Sequence, residues 1–219
     1  MVNFGENMFM GAITKDGLDI AEKSREIVKS KIKEVLNEKY DEYTKEQMGI
    51  IERVVHATAD PEYAKLIAFT DDAIKNGVEA IKNGKPIIVD ISMVQAGIRY
   101  DNIYNYIKNE EAIKLAKKEQ ITRAEAAMRL LKDKIDGGIV VIGNAPTALI
   151  EVVRLTKEEN IKPALIVGAP VGFVKAAESK ELLRNSENSS ISAIGSKGGT
   201  PVAVSIANGI IALSRNEKA

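Results

Sequence analysis

The chain has 219 residues, 45% hydrophobic and 28% charged, a composition typical of a globular protein, and its length favours a single domain over residues 1–219. Its 31 acidic and 31 basic residues cancel, so no overall charge attracts nucleic acid or a membrane surface. With no cysteine and one histidine, disulfides, thiolate catalysis and multi-histidine metal sites are excluded, and we expect neither a protein-bound metal nor a cofactor.

The sequence shows no secretory or membrane-spanning pattern. The first fifteen residues do not combine a basic start with an apolar core, and no apolar run reaches the length of a bilayer without a charge. We therefore expect a cytoplasmic protein.

The first third of the sequence predicts three helices. Between residues 19 and 36, apolar side chains that include Ile20 and Ile27 recur at helical spacing among Lys and Glu, which is typical of an amphipathic surface helix. Residues 44–47 fit a capping box, so a second helix should run from there towards His56. Asp60-Pro61 suits the N-cap and first turn of a third helix, which we expect to continue to residue 83.

Short β-rich runs then alternate with helical stretches. Four runs lack polar alternation, as strands buried on both faces do, and they lie at residues 86–90, 138–143, 164–168 and 190–195. The helical stretches are residues 110–119, 122–134, 146–158, 174–183 and 201–213. Such alternation predicts an α/β fold, with a mainly parallel sheet flanked by helices on both faces and a helical N-terminal region.

The turns after the predicted strands indicate a binding site, because ligands of open α/β sheets bind beyond the carboxyl ends of the strands. Residues 143–149, 168–174 and 195–201 combine glycine with proline at these turns. Such turns present free amides to carboxylate or phosphate oxygens, although small residues also simply permit tight connections. No turn matches the dinucleotide-binding or Walker A fingerprint.

The single histidine, His56, is the main candidate for acid–base chemistry. It lies near the predicted carboxyl end of a helix, where the dipole favours a cation, and Asp60 follows closely in the sequence. Both effects favour a protonated imidazole, which suits a proton donor better than a resting base. A packed or exposed histidine without a chemical role is the alternative.

Most basic residues fall on solvated helix faces, and a surface position without a role is the alternative for Arg123 and Arg53 as well. Arg123 falls in the first turn of its predicted helix, where the dipole opposes a cation, and a residue placed against its local preference can contact a ligand. Arg53 lies three residues before His56, on a neighbouring face of the same helix.

Six groups of residues follow one another along the chain between residues 53 and 199, and the match that they carry extends over about residues 11 to 213. They are Arg53-Val54-Val55-His56-Ala57, Asp90 with Met93-Val94 and Gly97, Thr122-Arg123, Gly143-Asn144-Ala145-Pro146-Thr147-Ala148-Leu149, Pro170-Val171-Gly172-Phe173-Val174 with Ala177-Glu178-Ser179-Lys180, and Gly198-Gly199. In this order they resemble the precorrin-8X methylmutase family of cobalamin biosynthesis, including its cobalt-precorrin-8 branch.

The resemblance implies an isomerase that moves a methyl group from C-11 to C-12 of precorrin-8 or its cobalt form. The product is hydrogenobyrinate or cobyrinate, and the reaction needs no cofactor. His56 corresponds to the family's catalytic histidine, which protonates a ring carbon. The substrate-binding positions implied are Ser24, Arg53, Arg123, Asn144, Thr147, Gly172, Lys197, Gly198 and Gly199. The resemblance also implies a homodimer with active sites near its interface.

A tetrapyrrole substrate has carboxylates at its rim and a flat apolar ring. The ring needs an apolar cleft, and the candidates for its lining are Met93, Val94, Val171 and Phe173. The alternative is that these four side chains simply pack in the core. Where the family commonly has Gly-Arg before its Gly-Gly turn, this chain has Gly195-Ser196, so that carboxylate contact is either missing or supplied by Lys197.

Two other functions remain open at this point. A non-catalytic tetrapyrrole carrier or scaffold would need the same pocket without turnover. A nucleotide-dependent transferase would fit a doubly wound sheet, although that argument rests on the fold alone.

Overall fold

The computed structural model describes residues 14–216, which form a six-stranded sheet covered by helices on both faces. The strands are β1 (Ile67–Phe69), β2 (Ile87–Val89), β3 (Ile103–Tyr104), β4 (Ile139–Ile142), β5 (Leu165–Gly168) and β6 (Ser190–Ala193). Their order across the sheet is β1-β6-β5-β4-β2-β3, and every neighbouring pair is parallel except β1 with β6. The predicted α/β fold with a mainly parallel sheet is therefore confirmed.

Helices precede the sheet and connect its strands. They are α1 (Lys15–Leu36), α2 (Lys45–Thr58), α3 (Tyr63–Leu66), α4 (Ala73–Lys82), α5 (Ser92–Gly97), α6 (Glu110–Glu119), α7 (Arg123–Leu130), α8 (Lys132–Ile135), α9 (Pro146–Glu158), α10 (Ala176–Arg184) and α11 (Thr200–Ser214). The 3₁₀ helix Asn37–Glu42 joins α1 to α2. No helix within residues 14–216 is both long and apolar enough to cross a membrane.

Each face of the sheet has its own apolar core. On the first face, α1, α2, α4, α5 and α11 pack around a cluster that includes Ile50, Val54 and Ile206. On the second face, α6, α7, α9 and α10 cover a cluster that includes Val140 and Leu149. Strands β2, β4, β5 and β6 are buried along their whole length, which explains why their sequences lack polar alternation.

A buried carboxylate ties the second helical layer together. Glu151 of α9 accepts hydrogen bonds from Arg129 of α7 (Nε to Oε1, 2.9 Å) and from Arg154 (Nη2 to Oε1, 2.7 Å). Burial alone would raise the pKa of Glu151, but the hydrogen bonds from Arg154 and Arg129 hold it below its usual value. The two guanidinium groups compensate the buried charge and fix α7 against α9.

The helices and strands of the N-terminal half differ most from the prediction. The expected third helix, from Asp60 to residue 83, is wrong, because the short helix α3 is followed by β1 before α4 begins. Residues Ile67–Phe69 pair antiparallel with β6, and a pairing partner more than 100 residues away cannot be seen in the local pattern. Strand β3 and helix α5 are further elements that the sequence did not predict.

Helix α1 is confirmed as a surface helix, although it begins earlier than predicted. Thr14 caps it by accepting a hydrogen bond from the Gly17 amide (3.2 Å). The buried side is formed by Ala21, Ile32 and Leu36, whereas Ile20 and Ile27, which the spacing assigned to the apolar stripe, are exposed to solvent. The expected helix 122–134 is divided at Leu131 into α7 and α8.

Candidate active site

The parallel strands β2, β4, β5 and β6 end at one edge of the sheet, and a turn follows each of them there. The turn after β6 is attached to the segment that follows α2. Tyr63 donates its hydroxyl hydrogen to the Gly198 carbonyl (3.2 Å), and the Lys197 ammonium contacts Asp60 (2.6 Å). These contacts bring the carboxyl end of α2, with His56, to the edge where ligands of open α/β sheets bind.

His56 lies in the last turn of α2, as predicted, and its imidazole is half-buried. Its Nδ1 is 3.0 Å from the hydroxyl oxygen of Ser24 on α1. In the protonated ring that a proton donor requires, Nδ1–H donates to the Ser24 hydroxyl oxygen, and the hydrogen on Nε2 is the one that can pass to a ligand. The sequence grouped Ser24 with the substrate-binding residues, and the structure places it against the histidine.

Asp60 has a different role from the one that the sequence suggested. It makes no ion pair with His56 in the part of the chain that the structure describes; its carboxylate contacts the Lys197 ammonium and accepts the Glu62 amide (3.0 Å). The hydrogen bond from Lys197 holds the pKa of Asp60 below its usual value. Lys197 also pairs with Glu62, and the two carboxylates raise the pKa of Lys197. Lys197 is therefore already ion-paired within the chain.

Helix α2 packs against α11, and Gly209 of α11 lies at this contact. A Cβ at Gly209 would be 3.0 Å from Ile50 Cγ1 and 3.5 Å from Arg53 Cδ. The aliphatic part of Arg53 thus packs on α11, one helical turn before His56. Arg53 and His56 share one helix, as the sequence predicted, and the contact with α11 restricts where the guanidinium can lie.

The glycines of two turns meet at the edge of the sheet. The Gly172 amide donates to the Ser196 carbonyl (3.1 Å), and the Gly199 amide donates to the Ala169 carbonyl (2.7 Å). Gly198 is sterically required, because a Cβ there would lie 2.4 Å from the Ala169 carbonyl oxygen. The amides of Gly172 and Gly199 are therefore used within the fold and are not free donors for a ligand.

The start of α9 is likewise occupied by a group from the protein. Asp90, which follows β2 and is fully buried, accepts the amides of Gly143 (3.1 Å), Asn144 (2.8 Å) and Ala145 (2.7 Å). Burial raises the pKa of Asp90, while the three amides act in the opposite direction. The anion that the amides of this turn were predicted to bind is thus an internal carboxylate, whereas the side chain of Asn144 is exposed.

Arg123 is exposed at the first position of α7, as predicted. The cap of this helix, Thr122, accepts the Glu125 amide (3.1 Å) and lies 2.6 Å from the hydroxyl oxygen of Thr147 in the first turn of α9. This contact ties the start of α7 to the turn after β4. Arg123 and Asn144 therefore lie at the same edge of the sheet, on the face opposite to the one that carries His56.

Exposed apolar side chains complete this edge. Met93, Val171 and Phe173 follow β2 and β5, and Phe173 is 97% exposed. Val94, the fourth candidate for an apolar cleft, is instead fully buried against Gly143 and belongs to the core. Large apolar groups exposed together mark a binding surface more often than a stable monomer surface.

Three more side chains shape this site: Tyr63 was not singled out in the sequence, and Asp90 and Lys180 were named only among the residues that carry the resemblance, without a role. Tyr63 and Lys180 hold the turn after β6 by hydrogen bonds to the carbonyls of Gly198 and Lys197, and Asp90 organises the turn after β4. Each acts through backbone groups more than fifteen residues away, so no local spacing identifies it.

These features define an α/β protein whose site lies beyond the carboxyl ends of a parallel sheet, with one oriented histidine among basic, amide and apolar groups. The family model of precorrin-8X methylmutase matches residues 19–213. The chain belongs to this family. It is a methylmutase, an isomerase that catalyses an intramolecular methyl migration.

Known relatives cover almost the whole chain. The cobalt-precorrin-8 methylmutase of Methanocaldococcus jannaschii is 66% identical over 96% of this chain and 100% of its own length. That of Methanothermobacter thermautotrophicus is 44% identical over 95% of this chain and 99% of its own. The crystal structure of precorrin-8X methylmutase from Thermus thermophilus superposes with a TM-score of 0.80 at 31% identity, covering 90% of this chain and 96% of the other.

Proposed function

We propose that this protein moves a methyl group from C-11 to C-12 of precorrin-8 or cobalt-precorrin-8, with His56 as the proton donor. The observation that carries the proposal is the single histidine, oriented by Ser24 at the carboxyl edge of a methylmutase fold (Nδ1 to Oγ, 3.0 Å). An imidazole that is held by one ring nitrogen can transfer a proton through the other.

In the proposed mechanism a proton passes from His56 to a ring carbon of the substrate. The added positive charge makes the methyl migration easier, and return of a proton from the macrocycle to His56 after migration leaves an isomer of the starting material. Nothing else is added or removed, so the imidazole ends in the state in which it began. The chain supplies acid–base chemistry and orientation, and the remaining bonding changes take place within the macrocycle.

The groups at this edge of the sheet suit the two chemical parts of the substrate. Arg123, at the start of α7, and the side chains of Asn144 and Thr147 are polar groups that suit carboxylates at the rim. The exposed side chains of Met93, Val171 and Phe173 provide apolar area for the ring. We propose that the backbone amide of Gly198 also binds a substrate carboxylate. The ammonium of Lys197 is available to the substrate only in part, because it is already paired with Asp60 and Glu62.

The direct experiment is the absorption spectrum of purified protein incubated with precorrin-8 or its cobalt form. We expect the spectrum to change to that of the corrin product without any added cofactor. Retention of the pigment with an unchanged spectrum would support a non-catalytic carrier. Binding of ATP or NAD in place of the pigment would support the nucleotide-dependent transferase.

A comparison of precorrin-8 with cobalt-precorrin-8 also tests whether the natural substrate contains cobalt. The metal in this reaction is part of the substrate. We propose the cobalt form as the natural substrate, because the relatives from M. jannaschii and M. thermautotrophicus are named for it. A higher kcat/KM for the metal-free pigment would contradict this choice.

We also propose that the enzyme is a homodimer and works in the cytoplasm. The exposed Ile20 and Ile27 of α1 support the dimer, since they lie seven residues apart on one outer side of the helix that carries Ser24. Sedimentation equilibrium should give twice the mass of one chain, and cell fractionation should recover the enzyme with cytoplasmic markers. A mass equal to one chain would contradict the dimer.

Ser24→Ala should separate two roles for this hydroxyl. If Ser24 orients His56, kcat falls about tenfold while the dissociation constant of the pigment changes less than about twofold. Ser30→Ala, an exposed serine of the same helix, is the control and should change neither. A weaker pigment affinity with unchanged kcat would instead assign Ser24 to substrate binding.

Arg123→Ala should weaken pigment binding about tenfold, because it removes a charged donor to a substrate carboxylate. The dissociation constant is measured by titration of the pigment absorbance. Lys118→Ala, an exposed cation of α6, serves as the control for net charge. An unchanged dissociation constant for the Arg123 variant would exclude this contact.

A further inference from the structure

Lys180 of α10 is a buried cation that the proposed mechanism does not use. It has no solvent-exposed surface, and its ammonium donates one hydrogen bond, to the Lys197 carbonyl at 2.6 Å. Within residues 14–216 it forms no ion pair with a carboxylate, and the like charge of Arg184 acts on it. An ammonium buried without a counter-ion costs folding free energy, so packing alone does not explain this side chain.

Lys180 still carries its proton at neutral pH. Burial, with a smaller contribution from Arg184, lowers its pKa to about 8. The bond to the Lys197 carbonyl is therefore charge-assisted. It polarises the peptide unit between Lys197 and Gly198, and the amide at the other end of that unit becomes a stronger donor.

The polar groups around this peptide unit are almost all used within the fold. The Ser196 carbonyl accepts from Gly172, the Gly198 carbonyl accepts from Tyr63, and the Gly199 amide donates to Ala169. The Gly198 amide, by contrast, has no acceptor among the residues that the structure describes. All described peptide bonds are trans, so this N–H points away from the carbonyl that Lys180 holds.

We propose that Lys180 is a positioning residue that holds and polarises the Lys197–Gly198 peptide so that the Gly198 amide binds a carboxylate of the substrate. The proposal rests on the proposed function for the identity of the ligand, whereas the effect of Lys180 on the Gly198 amide does not depend on it. Lys180 itself does not touch the substrate.

One isotope-labelling scheme reports on this amide alone, because Lys-Gly occurs once in the 219 residues, at positions 197 and 198. Protein with ¹³C in the lysine carbonyl and ¹⁵N in glycine gives one carbonyl-coupled amide signal, that of Gly198. We expect this signal to move when corrin product binds the wild type. In free Lys180→Met the signal should already differ, because the ammonium that polarises the peptide is gone.

Kinetics of the same variant separate positioning from stability. Lys180→Met should raise the dissociation constant of the pigment about tenfold and leave kcat at saturation within about threefold. Its resistance to denaturant should be equal to or greater than that of the wild type, since an apolar chain replaces a buried charge. Lys157→Met, at an exposed position of α9, is the control and should change none of these quantities.

The outcomes distinguish this proposal from the proposed function. Wild type that neither binds nor converts pigment contradicts the proposed function, and the Gly198 signal of the free proteins still tests the role of Lys180. An unchanged pigment affinity and Gly198 signal in Lys180→Met overturn the role of Lys180 alone. If Lys180→Met does not fold, the wild type provides the test. A Gly198 amide signal that does not move when product binds to the wild type then overturns the proposal.

Discussion

Replacing His56 with alanine should lower kcat for methyl migration by about a thousandfold, the middle of the range for loss of a general acid. The chain has no second histidine to take over the proton transfer. Pigment affinity should stay within about threefold of wild type, because the carboxylate and ring contacts proposed above come from other residues. Single-turnover absorbance gives the rate, and titration of the pigment spectrum gives the affinity.

Lys45→Ala is the control that tests whether any substitution in α2 lowers kcat as His56→Ala does. This residue is exposed at the first position of the helix, opposite to the end that carries His56, and we expect full activity. Undiminished turnover in His56→Ala would remove the histidine from the mechanism. A loss of both turnover and pigment binding would mean that the imidazole shapes the pocket instead of donating a proton.

Asp90→Ala should lower the free energy of unfolding by about 3 kcal/mol, because it leaves three amides at the start of α9 without their acceptor. The Gly143, Asn144 and Ala145 amides all donate to this one carboxylate, which is completely buried. For a chain of this size the midpoint of thermal unfolding should fall by roughly 6–12 °C. Denaturant titration followed by circular dichroism measures the free energy directly.

The effect should extend from stability to the site, because Asp90 holds the turn that carries Asn144. We expect the folded fraction of Asp90→Ala to bind pigment more weakly than wild type. Asp133→Ala, an exposed acid of α8, is the control and should stay within about 0.5 kcal/mol of wild type. A denaturation midpoint equal to that of the wild type would show that water replaces the carboxylate without cost.

Local sequence patterns predicted the helices and inner strands of the α/β region well. Helices α6 and α9 begin and end at the predicted residues, Glu110–Glu119 and Pro146–Glu158. Strands β2, β4, β5 and β6 lie within the predicted runs. These elements were predictable because capping residues, Pro at a first turn and apolar runs between two helical layers act over a few neighbouring residues.

The same patterns failed where an element depends on a distant partner. The three-residue edge strand β1 forms because it can pair with β6 through backbone hydrogen bonds. Its apolar residues are equally compatible with a helix when the local sequence is considered alone. The exposure of Ile20 and Ile27 and the burial of Val94 were likewise decided by packing against other elements. Spacing identifies an apolar stripe but does not show what covers it.

For the site, the sequence by itself determined the chemical groups: one histidine near a helix end, an arginine at a helix start and glycines after the strands. The tertiary structure decided their partners. Ser24 contacts His56, which lies 32 residues away in the sequence, and Asp60 pairs with Lys197, 137 residues away. Asp90 accepts hydrogen bonds from amides that the local sequence pattern predicted to bind a ligand. These pairings depend on how α1, α2 and α11 pack on the sheet, because hydrogen bonds and ion pairs form only between groups that the fold brings within about 3 Å of each other.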